Sequence, residues 1–174
     1  NQYEVVIGLE VHAQLSTKTK MFCGCINKYG DFPNKNTCPT CLGLPGALPV
    51  VNKIAIDYAI KLGLSVGSNI TKFSRFARKN YFYPDLTKGY QISQYDEPIC
   101  EGGKIIIRCD NQIKSIELTR IHLEEDAGKS IHSNNNLGTE VDFNRCGVPL
   151  VEIVSEPVIK SGEEAKSYLT RLKQ

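Results

Sequence analysis

Beyond residue 103 the chain runs through a succession of extended segments with no helical pattern between them. KIIIRC and SIELTRIHLEED flank the turn DNQ, and TEVDFNR and PLVEIVSEP follow around a Cys-Gly turn. The first segment of the chain, YEVVIGLEVHAQL, alternates in the same way. Val5, Ile7, Leu9, Val11 and Leu15 share one face, and Gly8, Glu10, His12 and Gln14 share the other. Parallel pairing needs a long crossover, usually a helix, between consecutive strands. Consecutive strands without one predict an α+β fold with a largely antiparallel sheet. Two helices are expected. Asn52 caps KIAIDYAIKL, with Gly63 as its stop, and a Ser161–Glu164 capping box opens SGEEAKSYLTRLKQ. FSRFARKNYFYPD reads as a basic-aromatic loop, and KGYQISQYDEPI as a loop or short strand. The last helix ends without a C-cap signal, which suggests the front part of a longer protein.

Composition narrows the class. The 174 residues suit one domain with a real core, and 41% hydrophobic against 23% charged is ordinary for a globular chain. A net charge of +2 gives no overall basic field. No run approaches the roughly 18 apolar residues of a membrane span, and no signal peptide opens the chain. The seven cysteines are an odd number, which argues against a complete disulfide framework and for a reducing compartment, cytoplasm or organelle matrix.

Four of those cysteines are clustered. Cys23-x-Cys25 is followed, twelve residues on, by Cys38-Pro-Thr-Cys41-x-Gly43. The second pair has the form of a knuckle that turns both sulfurs toward one ion, and four thiolates suit tetrahedral Zn²⁺. No His or Asp nearby completes an open catalytic site, so the ion is read as structural, tying down the irregular segment 22–46. The alternative is a set of free or redox-paired thiols. Cys100, Cys109 and Cys146 read as small core hydrophobes.

RIHLEEDAGKS, residues 120–130, ends like a nucleotide-binding P-loop in Gly128-Lys129-Ser130. The spacing rejects that reading, because Leu123 stands where the first glycine belongs. Glu124, Glu125 and Asp126 would also repel the phosphates such a loop holds. A carboxylate cluster is better suited to a hard cation, which can then hold phosphate. Partners exist elsewhere. Glu10 and His12 project from one strand face about 7 Å apart. Glu152 interrupts the apolar run PLVEIV, where a lone carboxylate is costly to bury. Oxygen donors with one nitrogen suit Mg²⁺ or Mn²⁺. In RKNYFYPD, Arg78 and Lys79 can clamp phosphate, and Tyr81 or Tyr83 can stack on a base. Taken singly, each of these residues also fits a solvated edge or an ordinary surface loop.

VIGLEVHAQL, RKNYFYPD, KGYQISQ, HLEEDAGKS and DFNRCGVPLVEIVSEP resemble the B subunits of aspartyl/glutamyl-tRNA(Asn/Gln) amidotransferases, over essentially the whole chain. That resemblance implies an enzyme that uses ATP to phosphorylate the side-chain carboxylate of Glu-tRNA(Gln) or Asp-tRNA(Asn). Ammonia from a glutaminase A subunit then displaces the phosphate, and a small C subunit holds the pair together. It implies a cradle similar to the glutamine synthetase/guanido kinase fold, and a longer protein with tRNA-gripping domains downstream. Residues 1–174 would then be the catalytic cradle, truncated at its C-terminal end. The cysteine quartet is present in some members and replaced in others, which fits a structural role. Under this resemblance Glu10, His12, Glu124, Glu125 and Glu152 are the expected catalytic metal ligands. Arg78, Lys79, Tyr81, Lys88 and Lys129 are the expected phosphate and nucleotide contacts. The rival expectation is a zinc-stabilised RNA-binding or subunit-assembly module without catalysis of its own.

Overall fold

The computed structural model describes residues 3–132 and 138–174. Strand β1 (Glu10–Gln14) opens the fold, and the cysteine-rich segment behind it holds only the short helix α1 (Pro39–Leu42). Helix α2 (Lys53–Ser65) follows, then the short strands β2 (Asn69–Ile70), β3 (Ala77–Asn80), β4 (Tyr90–Ser93) and β5 (Cys100–Glu101). Strands β6 (Lys104–Cys109) and β7 (Gln112–Glu125) lead to β8 (Lys129–His132) and β9 (Thr139–Asp142). A 3₁₀ turn (Phe143–Arg145), β10 (Pro149–Ser155) and helix α3 (Gly162–Leu172) complete the chain.

The main sheet has the order β1-β10-β7-β5-β2, with β6 paired to the first half of β7. Every registered pair is antiparallel, in agreement with the succession of strands in the sequence. The β6–β7 hairpin turns at Asp110 and Asn111, whose φ angles are 49° and 61°. Two positive φ values in a two-residue loop match the right-handed twist of the strands, and Asp and Asn tolerate them best after glycine. Strand β10 lies between β1 and β7 and is buried at all 7 residues. In the second half of β7 and in β10 the odd positions, among them Ile121, Leu123, Val151 and Ile153, enter the core with Ala55 and Ala59 of α2 and Tyr168 of α3, whereas before the register shift the even positions Ile116 and Leu118 do. In that second half the even positions emerge on the other face.

Three local expectations need correction. Asn52 does cap α2, its side chain accepting from the Ile54 N–H at 3.0 Å. Gly63, however, lies buried inside that helix and does not end it. A Cβ there would stand 2.5 Å from Cys100 Sγ and 2.9 Å from Ile70 Cδ1, so the glycine lets the helix press against β2 and β5. The helix ends two residues later, and Gly67 (φ 72°) turns the chain away. The alternation of the first segment starts at residue 5, but continuous pairing covers only Glu10–Gln14, with an isolated bridge from Ile7 to Ile159. The partner strand ends at Ser155, close to Pro157, which has no N–H to offer a ladder. ARKN is strand β3, paired to β4, where a loop was expected. Strand β9 pairs with β8 and not with β10. The Cys146-Gly147 turn carries the chain from that small ribbon into the main sheet, with Gly147 at φ 79°.

Candidate active site

The register of the central strands assembles the site. His12 of β1 lies opposite Glu152 of β10, and Glu152 lies opposite His122 of β7. All three are even positions on the face away from the core, and Glu124, two residues beyond His122, joins them by the period of the strand. His12 Nε2 is 2.7 Å from Glu124 Oε1 and 3.4 Å from Glu152 Oε2. His122 Nε2 is 3.0 Å from Glu152 Oε2 and 3.7 Å from Glu124 Oε2. The Ser93 hydroxyl donates to Glu124 Oε2 at 3.2 Å, and Arg120 Nε donates to His122 Nδ1 at 3.3 Å. Glu124 and His122 are each 2% exposed, whereas His12 is open to solvent.

Two carboxylates buried side by side repel each other unless positive charge stands between them. The imidazoles supply part of it. Burial works against a charged His122, but hydrogen bonds to Glu124 and Glu152 outweigh it and raise its pKa above the ordinary histidine value. The hydrogen bond from Arg120 to Nδ1 favours a neutral ring, so it competes with that pull. The carboxylates lie on the Nε2 side of the ring, and we take their effect as dominant. The His122 hydrogen bond in turn lowers the Glu152 carboxyl, against burial. One ligand atom each from His12, Glu124 and Glu152 falls within 4.8 Å of the others, a spacing that suits a single cation. Glu124, Glu152 and His122 line a cavity of about 460 Å³ together with Glu10, Arg78, Lys79, Tyr95 and Arg120, and His12 reaches Glu124 and Glu152 from beside it. Glu10 therefore sits on the wall, outside the three-residue donor set.

Other expected site residues are placed elsewhere. Glu125 follows Glu124 in the strand and so points to the opposite face. Its carboxylate pairs with Lys88 and accepts from the Ile92 N–H at 3.1 Å. This corrects the grouping of Glu125 with Glu124 as ligands of one ion, because the Glu125 carboxylate is taken up by Lys88 and the Ile92 N–H while Glu124 meets His12. It likewise corrects Lys88 as a free phosphate contact, since its ammonium is buried in that ion pair, 5.6 Å from the Tyr90 ring centre. Tyr81 is partly buried, and burial followed by the nearby charges of Asp85 and Glu124 raises its pKa. Lys129 is exposed on β8 and borders a different cleft with Lys28, Asp31 and Arg145. Gly128 N–H is engaged by the Asp85 carbonyl at 2.8 Å, and an extended strand follows it. A P-loop leads into a helix and leaves its N–H groups free, so the stretch is not one.

The cysteine quartet converges, with one sulfur each from Cys23, Cys25, Cys38 and Cys41 within 4.8 Å of the others. Cys38 caps α1, and its N–H points at Cys41 Sγ at 3.2 Å. A hydrogen bond from Cys23, with help from Lys20, holds the Cys41 thiol down at about 4, while the same bond pushes Cys23 up. Burial raises Cys100 and Cys146 to about 11, as befits inert core thiols. Cys109 is only partly buried.

His122, Ser93 and Arg120 were not singled out in the sequence. For His122 and Arg120 a signal existed. In RIHLEE the polar Arg120, His122 and Glu124 alternate with Ile121 and Leu123, the pattern of a strand with one chemical face. Ser93 carries no such mark, because only the approach of β4 to the end of β7 brings it in.

Fold and site define a class: an α+β domain whose antiparallel sheet carries a carboxylate–imidazole cavity on one face and a four-thiol loop at one end. A family model described as the GatB/GatE catalytic domain matches residues 5–174, and the chain belongs to that family. It is 58% identical over 172 residues to the B subunit of the aspartyl/glutamyl-tRNA(Asn/Gln) amidotransferase of Thermoanaerobacter sp. (strain X514), covering 99% of this chain and 36% of the relative. The protein of the same name from Helicobacter hepaticus is 60% identical over 170 residues, 98% of this chain and 35% of the relative. The one from Syntrophotalea carbinolica is 58% identical over 174 residues, 100% of this chain and 36% of the relative. The chain thus spans about 36% of the length of these relatives. Among the described residues no helix is long and apolar enough to cross a membrane.

Proposed function

We propose that this domain phosphorylates and then amidates the side-chain carboxylate of Glu-tRNA(Gln), Asp-tRNA(Asn) or both, within a complex that includes a glutaminase A subunit and a small C subunit. The observation that carries this reading is the His12–Glu124–Glu152 cluster, whose two carboxylates line a cavity shared with Arg78, Lys79 and Arg120. The relatives' name, which pairs aspartyl and glutamyl tRNA with amidotransfer, supports it. Two carboxylates and one imidazole are a donor set that fits Mg²⁺ or Mn²⁺. Such an ion, bound with ATP, neutralises charge that develops on the transferred phosphoryl group.

The chain's own residues do the remainder. His12, Glu124 and Glu152 hold the cation, and Ser93 and His122 fix the carboxylates that face it. Arg78 and Lys79 orient phosphate from the wall, and the Arg78 guanidinium is steadied 5.0 Å above the Tyr90 ring. A substrate carboxylate oxygen attacks the γ-phosphorus and ADP leaves. Ammonia then attacks the activated carbonyl carbon, the C–O bond to phosphate breaks, and the surplus proton passes to solvent. Residues 1–174 act as the catalytic cradle in this reading, similar in kind to the glutamine synthetase/guanido kinase fold. The setting is the cytoplasm or an organelle matrix. An assembly module without catalysis would have no need for acidic residues buried at the base of a cationic cavity.

The test uses the complete complex with γ-labelled ATP, glutamine and each mischarged tRNA. Lys79→Ala is expected to slow label transfer to the aminoacyl-tRNA by about 10²-fold or more, and to spare glutamine hydrolysis. Equal loss of both activities would sink this assignment and point to a lost contact within the complex.

We further propose that Cys23, Cys25, Cys38 and Cys41 of the 22–46 loop hold one structural Zn²⁺. Purified protein is expected to contain about one zinc per chain in tetrahedral sulfur coordination. Cys38→Ser should lower stability more than it alters the acidic site. Four thiols freely reactive toward Ellman's reagent, with no metal by elemental analysis, would refute it.

A further inference from the structure

Lys20 is fully buried at 0% exposure, and no carboxylate lies within ion-pairing distance of its ammonium among the described residues. Its Nζ donates to the Asn36 carbonyl at 2.6 Å and to Cys41 Sγ at 3.7 Å. A buried ammonium is normally paired, because leaving a charge uncompensated in a protein interior costs several kcal/mol. The carbonyl is neutral. The nearby Glu125 carboxylate is already engaged by Lys88. The remaining source of negative charge is sulfur.

Four thiolates around Zn²⁺ carry a formal charge of −2, which itself requires compensation when part of the cluster is buried. Cys41 is the buried member of the quartet, and it is the one Lys20 touches. Lys20 is packed so that its ammonium meets the Asn36 carbonyl and Cys41 Sγ. Its backbone N–H is fixed to the Cys25 carbonyl at 3.0 Å, and its stem passes the Gly147 turn, where a Cβ would lie 3.6 Å from Lys20 Cδ. The same Cβ would lie 3.3 Å from Cys41 Cβ, so a side chain at this turn would crowd both Lys20 and Cys41 where they meet.

We propose that Lys20 is the built-in counter-cation of the tetrathiolate site, donating an N–H···S hydrogen bond to Cys41 and offsetting one of the cluster's two excess charges. It positions and tunes the site without ligating the metal. The inference rests on the zinc reading above, and the experiment separates the two. Full-length protein in its complex is titrated with Zn²⁺ against a chromophoric chelator, and with Co²⁺ to record the sulfur-to-metal charge-transfer band. Wild-type protein that takes up no metal would refute the zinc reading itself. With metal bound, Lys20→Met and Lys20→Gln are each expected to weaken zinc about 10–100-fold, the range typical for groups that support a ligand, and to shift the charge-transfer band. Lys20→Gln keeps a donor but not the charge, so it decides the matter if Lys20→Met does not accumulate. A Cys25→His background lowers the cluster's excess charge by one. Loss of Lys20 should cost less affinity there, as a coupled pair requires. Unchanged affinity and an unshifted band in both variants, or an equal cost in the Cys25→His background, would overturn the proposal. If neither variant folds, Lys20→Met is made in the Cys25→His background, which keeps four ligands and already lowers the excess charge by one. Recovery of soluble, zinc-loaded protein there supports the proposal, and failure while Cys25→His alone folds counts against it.

Discussion

In the complete enzyme, Glu124→Gln is expected to lower ATP-dependent amidation by about 10²–10³-fold and to leave glutamine hydrolysis near its original rate. Glu124 is the carboxylate on which the cluster converges. Its Oε1 is 2.7 Å from His12, and its Oε2 is 3.2 Å from the Ser93 hydroxyl. An amide keeps the size and can still meet Ser93, but it loses the charge that makes a cation bind there. The loss should appear as weaker Mn²⁺ binding, measured by electron paramagnetic resonance without tRNA present, and excess Mn²⁺ should restore part of the rate. Ser130→Ala should be mild, because no P-loop hydroxyl is involved. A fully active Glu124→Gln enzyme would remove the cavity from the chemistry. A Glu124→Gln enzyme that is inactive yet binds Mn²⁺ normally would move the ion elsewhere.

Lys88→Met is expected to destabilise the domain by about 3–5 kcal/mol, a fall in Tm on the order of 10 °C for a chain of this size. The Lys88 and Glu125 side chains are 8% and 3% exposed, so removing the ammonium strands a carboxylate in the interior. Glu125 would keep the Ile92 N–H, which offsets only part of that cost. Replacing both residues removes the stranded charge. Lys88→Met combined with Glu125→Leu should therefore recover much of the loss, because a hydrophobic pair can substitute for a buried ion pair. Thermal unfolding of the three variants checks this. If the double variant falls by the sum of the two single effects, the residues do not act as a pair. The same arithmetic separates neighbours in the chain. Glu124→Gln should impair cation binding in a stable fold, and Glu125→Gln should chiefly cost stability.

That contrast marks what could be read in advance. A succession of extended segments without helices between them identified strands, and a carboxylate within the apolar run PLVEIV identified Glu152 as exceptional, because burying charge is costly wherever the chain goes. The Leu123 position excluded the P-loop by spacing alone. The two cysteine pairs marked a loop whose four sulfurs converge, a local geometry that a short segment carries within itself. The sequence by itself thus determined the α+β class, the presence of acidic residues on neighbouring strands and the grouping of four cysteines in one loop. It did not determine which acid faces which partner. Glu124 and Glu125 look equivalent as letters, and the strand pleat sends them to opposite faces. Gly63 looks like a helix stop, and only the approach of Cys100 across 37 residues of chain reveals a packing contact (100 − 63). His122 becomes part of the site through a register that sets it against Glu152, and Ser93 through the arrival of a strand from another ribbon. Lys20 reads as one more surface lysine until the fold encloses it against Cys41. Local propensity acts over a few residues and is written in order along the chain. Charge pairing acts through space, and its partners exist only once the strands have chosen their neighbours.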